Sequence, residues 1–577
     1  MRRLLESRRF LAWAVAIGVL LAAPSLFSGF QSEDWVFRAS AETEAFSLPW
    51  RVNLWGPEEL GDDDKRGIVL DGMRAGTLPW ITEAGFHVSL WRPLASWTHH
   101  LEYRLYPDAP VLMHAQNLFW YALLVGAAGL LHRRVIEARW AAALAALLYA
   151  VDDAHGHAVG WITNRSALMA AAFGALSIHA FDRFRRDGWR PGRWLTAVYF
   201  ALALSSSEFA LGAAGYFVAH ALLLDPARPL RRALAALSWL VPLATWAIAY
   251  RVLGHGAAGS GMYLDPVSQP LEFIRSGAER AAVLVWGELG FPPSDLHGEL
   301  PGHTRTLFAL AAAALSAAVG WMLMPVLRRQ RAAGFFALGT LLSILPACGV
   351  FPQDRMLLLA GIGGSGLVAS VLGALAEGAA GALHPARWLR PLACTLLVLH
   401  GLVAPLLLPL RSLSMWRYEK RLAEARDSAF ALVDAPDQEL VLLNAPDFYF
   451  GVMLFLTRRA RSESLPANGW CLNGSLEPLV VKRLDETTIE LSPERGFMSE
   501  QLNHVYRDRP MQSQELIWFD EFKVRVTELD EDGEPLRAKF RFRRPLEDRR
   551  MLFAAYRDGR YRRVQPPAYG QVLRLQP

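Results

Sequence analysis

Long uninterrupted apolar runs constrain this sequence more than any other feature. Residues 10–30, 306–327 and 388–410 each form a run close to the ~20 residues that a helix needs to cross a bilayer. Hydrophobic residues make up 53% of the 577 residues and charged residues only 20%, which is few charges for a soluble protein of this size. A single soluble domain is therefore excluded, and we expect a polytopic membrane protein.

The apolar runs and their flanks predict about eleven spanning helices. The first run follows basic residues but precedes no signal-peptide cleavage pattern, so we expect it to be retained as a span. A further segment, 271–289, has charges at helical spacing among apolar residues and is expected to lie along the membrane interface. The predicted spans are residues 10–30, 111–131, 138–152, 165–181, 194–208, 209–224, 233–253, 306–327, 333–350, 356–376 and 388–410.

Arginines are concentrated in alternate loops between these runs, which indicates their side of the membrane. The N-terminus and the loops that carry these arginines are predicted to be cytoplasmic, so the remaining loops and the C-terminal part lie outside. The first outside loop, 31–110, is unusually long and holds 13 Asp and Glu against 7 Lys and Arg. The six basic segments contain Arg2/Arg3/Arg8/Arg9, Arg133/Arg134/Arg139, Arg183/Arg185/Arg186/Arg190, Arg228/Arg231/Arg232, Arg328/Arg329/Arg331 and Arg387/Arg390.

The composition changes near residue 411 from Leu- and Ala-rich to charged and alternating. We therefore divide the chain into a transmembrane domain, 1–410, and a soluble extracytoplasmic domain, 411–577. Alternating patterns predict strands in the second part and make it a small β-rich (α+β) domain. The overall fold class is thus mainly α, a helical bundle with this domain attached. The predicted strands are 438–443, 479–484 and 488–491, with a hairpin formed by 522–529 and 536–542.

The charge balance points to topology and not to a nucleic-acid partner. The 60 Lys and Arg exceed the 55 Asp and Glu by only 5, and the excess is explained by the basic cytoplasmic loops. Three cysteines, two of them inside apolar runs, are too few for a disulfide framework or a Cys-based zinc site.

Two carboxylates, Glu33 and Asp34, stand where the first span ends. Partial burial and mutual repulsion can prepare one carboxylate of such a pair as a general base. The alternative is that both are merely solvated at a helix end.

Charged residues also gather between the third and fourth spans. Asp152, Asp153, His155 and His157 lie within six positions and are candidate ligands of a divalent cation, although their spacing fits no specific site. Arg165, at the start of the fourth span, is placed to meet an anion such as a lipid phosphate. Its alternative role is a structural ion pair with Asp152 or Asp153.

Three further charged residues are predicted on the same outside face. Glu208 lies between two apolar runs and is either functional or exposed in a short turn. Arg355 and Arg92, together with Arg165, would present three guanidinium groups suited to a phosphate. His114 and Asn117 share one face of the second span, where bundle packing is the simpler explanation.

In this order along the chain, these motifs resemble the GT-C class of integral-membrane glycosyltransferases. The resemblance is to the protein O-mannosyltransferase-like branch that includes the tetratricopeptide-repeat mannosyltransferases, and it covers about residues 10–376. The motifs that carry it are the acidic pair, the long outside loop, Trp91-Arg-Pro-Leu94, His114-x-x-Asn117, His155-Gly-His-Ala-Val-Gly-Trp-Ile-Thr-Asn-Arg165, Ser207-Glu208 and Pro346 to Arg355-Met-Leu.

The resemblance implies an inverting, mannosyltransferase-like transfer of a sugar from a polyprenyl-phosphate donor to a protein or glycan hydroxyl on the outer face. It assigns the catalytic base to Asp34, with Glu33 beside it. Arg165 and Arg355, helped by Arg92, would bind the donor phosphate, and Glu208 and His157 would complete the substrate site. No cofactor is implied, although a divalent cation is left open. We expect these outside-facing residues, Asp34 included, to converge on one cavity.

Two departures from the family pattern keep other functions open. Ser207 stands where the family has a lysine, and Asp152-Asp153 replaces a His-Pro pair. Tetratricopeptide repeats do not follow the last predicted span. The alternatives are a non-catalytic GT-C-like scaffold of the cell envelope and a lipid or sugar transporter, although transporters usually show inverted repeats and broken helices. The composition suggests a bacterial inner membrane, with the active face and the C-terminal domain in the periplasm.

Overall fold

A computed structural model describes residues 5–7, 9–40, 62–377 and 388–576. Arg2, Arg3, Arg8 and Arg387 of the predicted cytoplasmic segments, and residues 41–61 of the first outside loop, lie outside the described residues. The chain forms two compact units. The first, the helical unit, comprises 1–31, 90–254 and 264–416, and the second, the sheet unit, comprises 32–89, 255–263 and 417–577.

The helices account for most of the first unit and for part of the second. Short 3-10 turns connect several of them, including Ile162–Asn164, Glu208–Leu211 and Asp354–Leu357. In chain order the α-helices are α1 Phe10–Ala22, α2 Glu33–Ser40, α3 Asp62–Arg74, α4 Pro93–Leu105, α5 Pro110–Val135, α6 Arg139–Ala150, α7 His155–Val159, α8 Arg165–Arg186, α9 Pro191–Leu204, α10 Gly212–Leu223, α11 Pro229–Val252, α12 Pro270–Leu289, α13 Leu296–Glu299, α14 Gly302–Leu327, α15 Arg331–Ile344, α16 Ala360–Glu377, α17 Leu389–Val398, α18 Ala404–Ser412, α19 Ser414–Phe430 and α20 Phe448–Ala460.

All eleven runs predicted as spans fall on helices, so the helical reading of the apolar runs is confirmed. Among the described residues, six helical segments are long and apolar enough to cross a membrane, and the chain is a multi-pass integral membrane protein. The number of spans and their orientation stay predictions. The six segments are Phe10–Phe27, Pro110–Val135, Pro229–Val252, Gly302–Leu327, Arg331–Gly349 and Leu389–Phe430.

Small residues allow the helices of the first unit to pack closely. α1 packs on α5 and α6, and α8 packs on α5 and α9. A Cβ atom at Gly18 of α1 would lie only 2.5 Å from the carbonyl oxygen of Ala150 in α6, so a larger residue would push these helices apart. Because lipid tails are as apolar as leucine, close packing of this kind is what holds membrane helices together.

Residues predicted on one side of the membrane contact one another in the helical unit. Arg134, from one predicted cytoplasmic loop, forms ion pairs with Asp182 at 2.8 Å and with Asp187 at 2.9 Å. Arg185 similarly pairs with Asp225 at 2.7 Å. These contacts join three of the loops that the arginine distribution assigns to the cytoplasm, and they agree with that grouping.

The sheet unit contains two main sheets, and the strands predicted from its alternating patterns are confirmed. A four-stranded sheet has the order β11-β10-β3-β4, with β3 parallel to both β10 and β4 and α20 in the connection from β3 to β4. A six-stranded antiparallel sheet has the order β12-β5-β6-β9-β8-β7, and a separate pair joins β1 to β2. The strands are β1 His87–Ser89, β2 Gly256–Ala258, β3 Glu439–Leu442, β4 Asn468–Cys471, β5 Leu479–Arg483, β6 Thr488–Pro493, β7 Leu516–Trp518, β8 Phe522–Leu529, β9 Pro535–Phe542, β10 Met551–Arg557, β11 Arg560–Arg563 and β12 Val572–Leu575.

Much of the first outside loop belongs to the sheet unit. Trp80 is buried among aromatic rings, 5.2 Å from Phe497 and 5.5 Å from Phe540 between ring centroids. Its indole N–H donates to the carbonyl oxygen of Leu472 at 2.9 Å. The sheet unit therefore combines residues 32–89 and 255–263 with residues 417–577. The sequence pattern instead placed the boundary at 411 and kept the loop with the bundle.

Candidate functional site

Arg165 begins α8 and is fully buried. Its guanidinium pairs with the equally buried carboxylate of Glu102 on α4. Its Nε donates to Oδ1 of Asn117 at 2.9 Å, and one terminal nitrogen donates to the carbonyl oxygen of Met113 at 2.9 Å. These contacts favour the structural ion pair over phosphate binding, with Glu102 as the partner in place of Asp152 or Asp153.

His114 and Asn117 serve helix packing in this arrangement. Nε2 of His114 lies 2.9 Å from the carbonyl oxygen of Gly29. The amide nitrogen of Asn117 donates to the carbonyl oxygens of Val159 at 3.3 Å and Trp161 at 2.9 Å. Both residues therefore hold segments that contain the predicted motifs and do not themselves face an open site.

Arg355 lies beside the first turn of α8. One of its terminal nitrogens donates to Oδ1 of Asn164 at 3.1 Å, and its guanidinium carbon lies 4.8 Å from the ring centre of Trp161. Its Nε donates to the side-chain oxygen of Gln353. Arg355 is half-buried, and these contacts fix the direction of its guanidinium.

Arg92 reaches the same turn from a different part of the chain. Its Nε donates to Oε2 of Glu208 at 2.8 Å, and a terminal nitrogen donates to Oγ of Ser166 at 3.4 Å. The side chains of Arg92 and Glu208 are 20% and 22% exposed. The structure therefore brings Arg92, Glu208 and Arg355 together at the beginning of α8.

Several polar atoms at this turn are buried and have no hydrogen-bond partner among the described residues. They include the side-chain nitrogen of Asn164 and the indole nitrogen of Trp161, which are donors, and Oε1 of Glu208, which is an acceptor. Asn164 occupies the N-cap of α8 without capping it. Because buried polar atoms normally have partners, these atoms mark a turn whose hydrogen-bonding capacity is not used within the described residues.

The carboxylates predicted near this face converge on a different cation, Arg411 at the end of α18. One terminal nitrogen of Arg411 donates to Asp153 at 2.8 Å and to Asp354 at 2.6 Å. The other terminal nitrogen pairs with Asp295. We call this group the Arg411 cluster. Nδ1 of His157 lies 3.9 Å from Asp295, so His157 borders this cluster.

The pKa of Asp295 in the Arg411 cluster and the pKa of the neighbouring His157 are shifted in opposite directions. Burial and the neighbouring Asp354 carboxylate raise the pKa of Asp295 to about 7. Burial and the positive charge of Arg411 lower the pKa of His157 to about 4. His157 is therefore neutral near pH 7, where Asp295 changes its charge.

The raised pKa of Asp295 predicts a pH-dependent stability. The folded protein holds this proton more tightly than the unfolded chain, so its stabilising effect is complete below about pH 4 and is lost as the pH rises towards 7. Asp295→Asn removes the titration. We expect the melting temperature of Asp295→Asn minus that of the wild type to rise by a few degrees between pH 5 and 7, measured by thermal unfolding in detergent. A difference in melting temperature that does not change between pH 5 and 7 would contradict the raised pKa of Asp295.

The candidate cation ligands have different hydrogen-bond partners. Asp153 is engaged with Arg411, Oδ1 of Asp152 accepts from the backbone N–H of Ala154 at 3.0 Å, and His155 is buried with Nδ1 3.3 Å from the hydroxyl of Tyr121. Within the described ranges, no three His, Cys, Asp or Glu side chains are grouped as metal ligands. The involvement of a cation stays an open prediction.

Glu33 and Asp34 form the first turn of α2 in the sheet unit. Asp34 is fully buried and Glu33 is half-buried, with Oε2 of Glu33 accepting from Oγ of Ser32 at 3.0 Å. Ser32 has a left-handed backbone with φ of 50°, and such strain in a residue other than glycine is typical of functional sites. Burial and the Glu33 charge raise the pKa of nearby Tyr449, which keeps its hydroxyl protonated.

The sequence did not single out three residues that organise these sites. Glu102 lies in an amphipathic stretch of the outside loop, Asp295 in a connection after α12, and Arg411 at the end of the last apolar run. Of these three residues, only Arg411 could have been noticed in the sequence, because a single arginine directly after a predicted span marks a membrane boundary.

Comparisons with known proteins leave the family unassigned. No family model and no curated protein matches the sequence. Among solved structures, the apo oligosaccharyltransferase of Archaeoglobus fulgidus is 12% identical with a TM-score of 0.43, covering 80% of this chain and 65% of its own. The same organism's AglB, bound to an inhibitory peptide and a dolichol-phosphate, is 11% identical with a TM-score of 0.39, covering 80% of this chain and 65% of its own.

A second kind of solved structure is similar over nearly its whole length. ArnT from Cupriavidus metallidurans bound to undecaprenyl phosphate is 14% identical with a TM-score of 0.35, covering 82% of this chain and 93% of its own. This chain spans just under two thirds of the archaeal oligosaccharyltransferase. These identities and TM-scores are too low to assign a family, and the O-mannosyltransferase-like branch stays a prediction from the motifs.

Proposed function

We propose that this protein transfers a sugar from a polyprenyl-phosphate donor to an acceptor hydroxyl. The observation that carries the proposal is the first turn of α8, where two half-buried arginines from distant parts of the chain meet unpartnered buried donors. We call this group, formed by Arg92, Trp161, Asn164, Glu208 and Arg355, the α8 site.

The donors of the α8 site suit a phosphate. A helix N-terminus presents N–H groups and a partial positive charge to an anion. Guanidinium groups bind phosphate oxygens with charge-assisted hydrogen bonds, which are stronger than neutral ones. The side-chain nitrogens of Trp161 and Asn164 add two more donors. In a site with little water, such contacts stabilise the negative charge that a departing phosphate gains.

Glu208 suits the sugar part of the same donor. Oε2 is engaged by Arg92, whereas Oε1 is a buried acceptor without a partner among the described residues. A sugar hydroxyl can donate to Oε1. The family pattern places a lysine next to this glutamate, whereas this chain has Ser207 there. Arg92 forms an ion pair with Glu208 and supplies the positive charge instead.

The reaction we propose needs a base as well as a phosphate site. The motif resemblance assigns the base to Asp34. Asp34 would accept the proton of the acceptor hydroxyl while the hydroxyl oxygen attacks the anomeric carbon of the donor sugar. A glycosidic bond forms, the bond between the anomeric carbon and the phosphate oxygen breaks, and the polyprenyl phosphate leaves with the electron pair. Attack opposite the leaving group inverts the anomeric centre.

Finer features of the function rest on the resemblance alone. They are a mannosyl donor, a protein or glycan acceptor, and action at the periplasmic face of a bacterial inner membrane. The sugar is determined by assay with a panel of polyprenyl-phosphate donors.

The phosphate site is tested by direct binding. Full-length protein in nanodiscs is expected to bind undecaprenyl phosphate, and Arg355→Gln is expected to weaken binding by about tenfold, since one charged hydrogen bond is worth about 1.5–3 kcal/mol. Arg251→Gln is the matched control, because Arg251 is half-exposed and pairs with Asp265. Equal binding by wild type and Arg355→Gln would contradict the site.

Turnover then separates the three candidate functions. We expect release of undecaprenyl phosphate from its mannose, glucose or other hexose conjugates when a pool of peptides with serine and threonine is present. Binding without release would favour a scaffold. Movement of the lipid between leaflets of a proteoliposome without sugar transfer would favour a transporter.

A further inference from the structure

Asp354 connects the Arg411 cluster to the α8 site. It is buried at 2% exposure and directly precedes Arg355 in the 3-10 turn Asp354–Leu357. Its Oδ2 accepts from Arg411 at 2.6 Å, and its Oδ1 accepts from the backbone N–H of Ser294 at 2.8 Å. Both carboxylate oxygens of Asp354 therefore accept hydrogen bonds that link this turn to other segments of the chain.

Arg411 is itself held from three directions. Asp153 follows α6, Asp295 follows α12, and Asp354 lies between α15 and α16. The arginine is only 14% exposed. A planar guanidinium with fixed donor directions holds such an arrangement better than a flexible ammonium group. The end of α18 therefore defines the position of the turn that carries Arg355.

We propose that Asp354 and Arg411 are positioning residues that hold Arg355 against the first turn of α8 for donor binding. This proposal rests on the proposed function of the α8 site. Asp354 bonds with Arg411 and with Ser294, so the effect we propose passes through the position of the turn. A displacement of about 1 Å of a positioned guanidinium is enough to remove a large part of its contribution to donor binding.

Asp354→Asn removes the hydrogen bond that Asp354 accepts from Arg411 and keeps the one from Ser294. The asparagine oxygen can still accept from Ser294, but its amide nitrogen cannot accept from Arg411, which keeps its pairs with Asp153 and Asp295. Asp295→Asn is the matched control, because it removes another carboxylate from the same guanidinium and leaves the tie to the turn intact.

The position of the turn can be read without any ligand. Cysteines replace Asn164 and Arg355 in full-length protein whose native Cys348, Cys394 and Cys471 are changed to alanine, and a short bis-methanethiosulfonate reagent joins them. We expect Asp354→Asn to lower the rate of this cross-link severalfold and Asp295→Asn to leave it unchanged. Arg411→Gln should repeat the effect of Asp354→Asn, and Arg411→Lys should restore part of the rate.

Binding is measured separately, with the native residues at 164 and 355. Asp354→Asn is expected to weaken the binding of undecaprenyl phosphate by about tenfold with its melting temperature close to that of Asp295→Asn. A wild-type cross-linking rate in Asp354→Asn would overturn the proposal, as would an equal loss in Asp295→Asn. If Asp354→Asn lowers the cross-linking rate and the wild type binds no undecaprenyl phosphate, the positioning holds and the proposed function fails.

Discussion

Replacing Arg165 by Met is expected to lower the free energy of unfolding of the helical unit by about 3–5 kcal/mol, because it leaves a buried charge without its partner. The charge belongs to Glu102, which is fully buried and pairs with Arg165. The substitution also removes the donors to Asn117 and to the carbonyl oxygen of Met113. The measurement is chemical or thermal unfolding of the purified protein in detergent.

The double variant Arg165→Met, Glu102→Leu tests the cause of this loss. Replacing both members of a buried ion pair by apolar residues often costs little, whereas removing one member is costly. We therefore expect the double variant to be more stable than Arg165→Met alone, and a double-mutant cycle gives the coupling between the two positions. Arg251→Met is the control, since its half-exposed pair with Asp265 should contribute no more than about 1 kcal/mol.

The same variants decide between the two roles considered for Arg165. If Arg165→Met unfolds like the wild type and loses only the binding of undecaprenyl phosphate, then Arg165 is a phosphate ligand, as the motif resemblance implies. If stability falls and the remaining folded protein still binds, Arg165 is structural. Its full burial and its contacts with Glu102, Asn117 and Met113 favour the second outcome.

The helices could be predicted because their signal is local. An apolar run of adequate length reports a membrane helix without knowledge of its neighbours, and every predicted span coincides with a helix. The strands β5, β6, β8 and β9 were predictable for a similar reason, since alternation marks a half-buried strand. The strand β10 was missed because it is buried along nearly its whole length, and a continuous apolar run does not distinguish a strand from a helix.

The partners in the sites could not be predicted, because they depend on contacts between distant segments. Arg165 pairs with Glu102, which lies 63 positions away in a different helix, and not with the carboxylates nearest in the sequence. Asp153 instead contacts Arg411, 258 positions away. The inclusion of residues 32–89 in the sheet unit has the same origin, since Trp80 finds its aromatic neighbours near residues 497 and 540.

Asp34→Asn is expected to reduce sugar transfer by about 10²–10⁴-fold, the usual contribution of a general base. Asparagine has nearly the same shape as aspartate and cannot accept the proton of an acceptor hydroxyl, so binding of undecaprenyl phosphate and the melting temperature should stay close to those of the wild type. The measurement is turnover at saturating donor, with Asp71→Asn as the control, because Asp71 also lies in the first outside loop and is 74% exposed. Unchanged turnover would remove Asp34 from the mechanism. A fall in stability without a fall in turnover per folded molecule would make its burial structural.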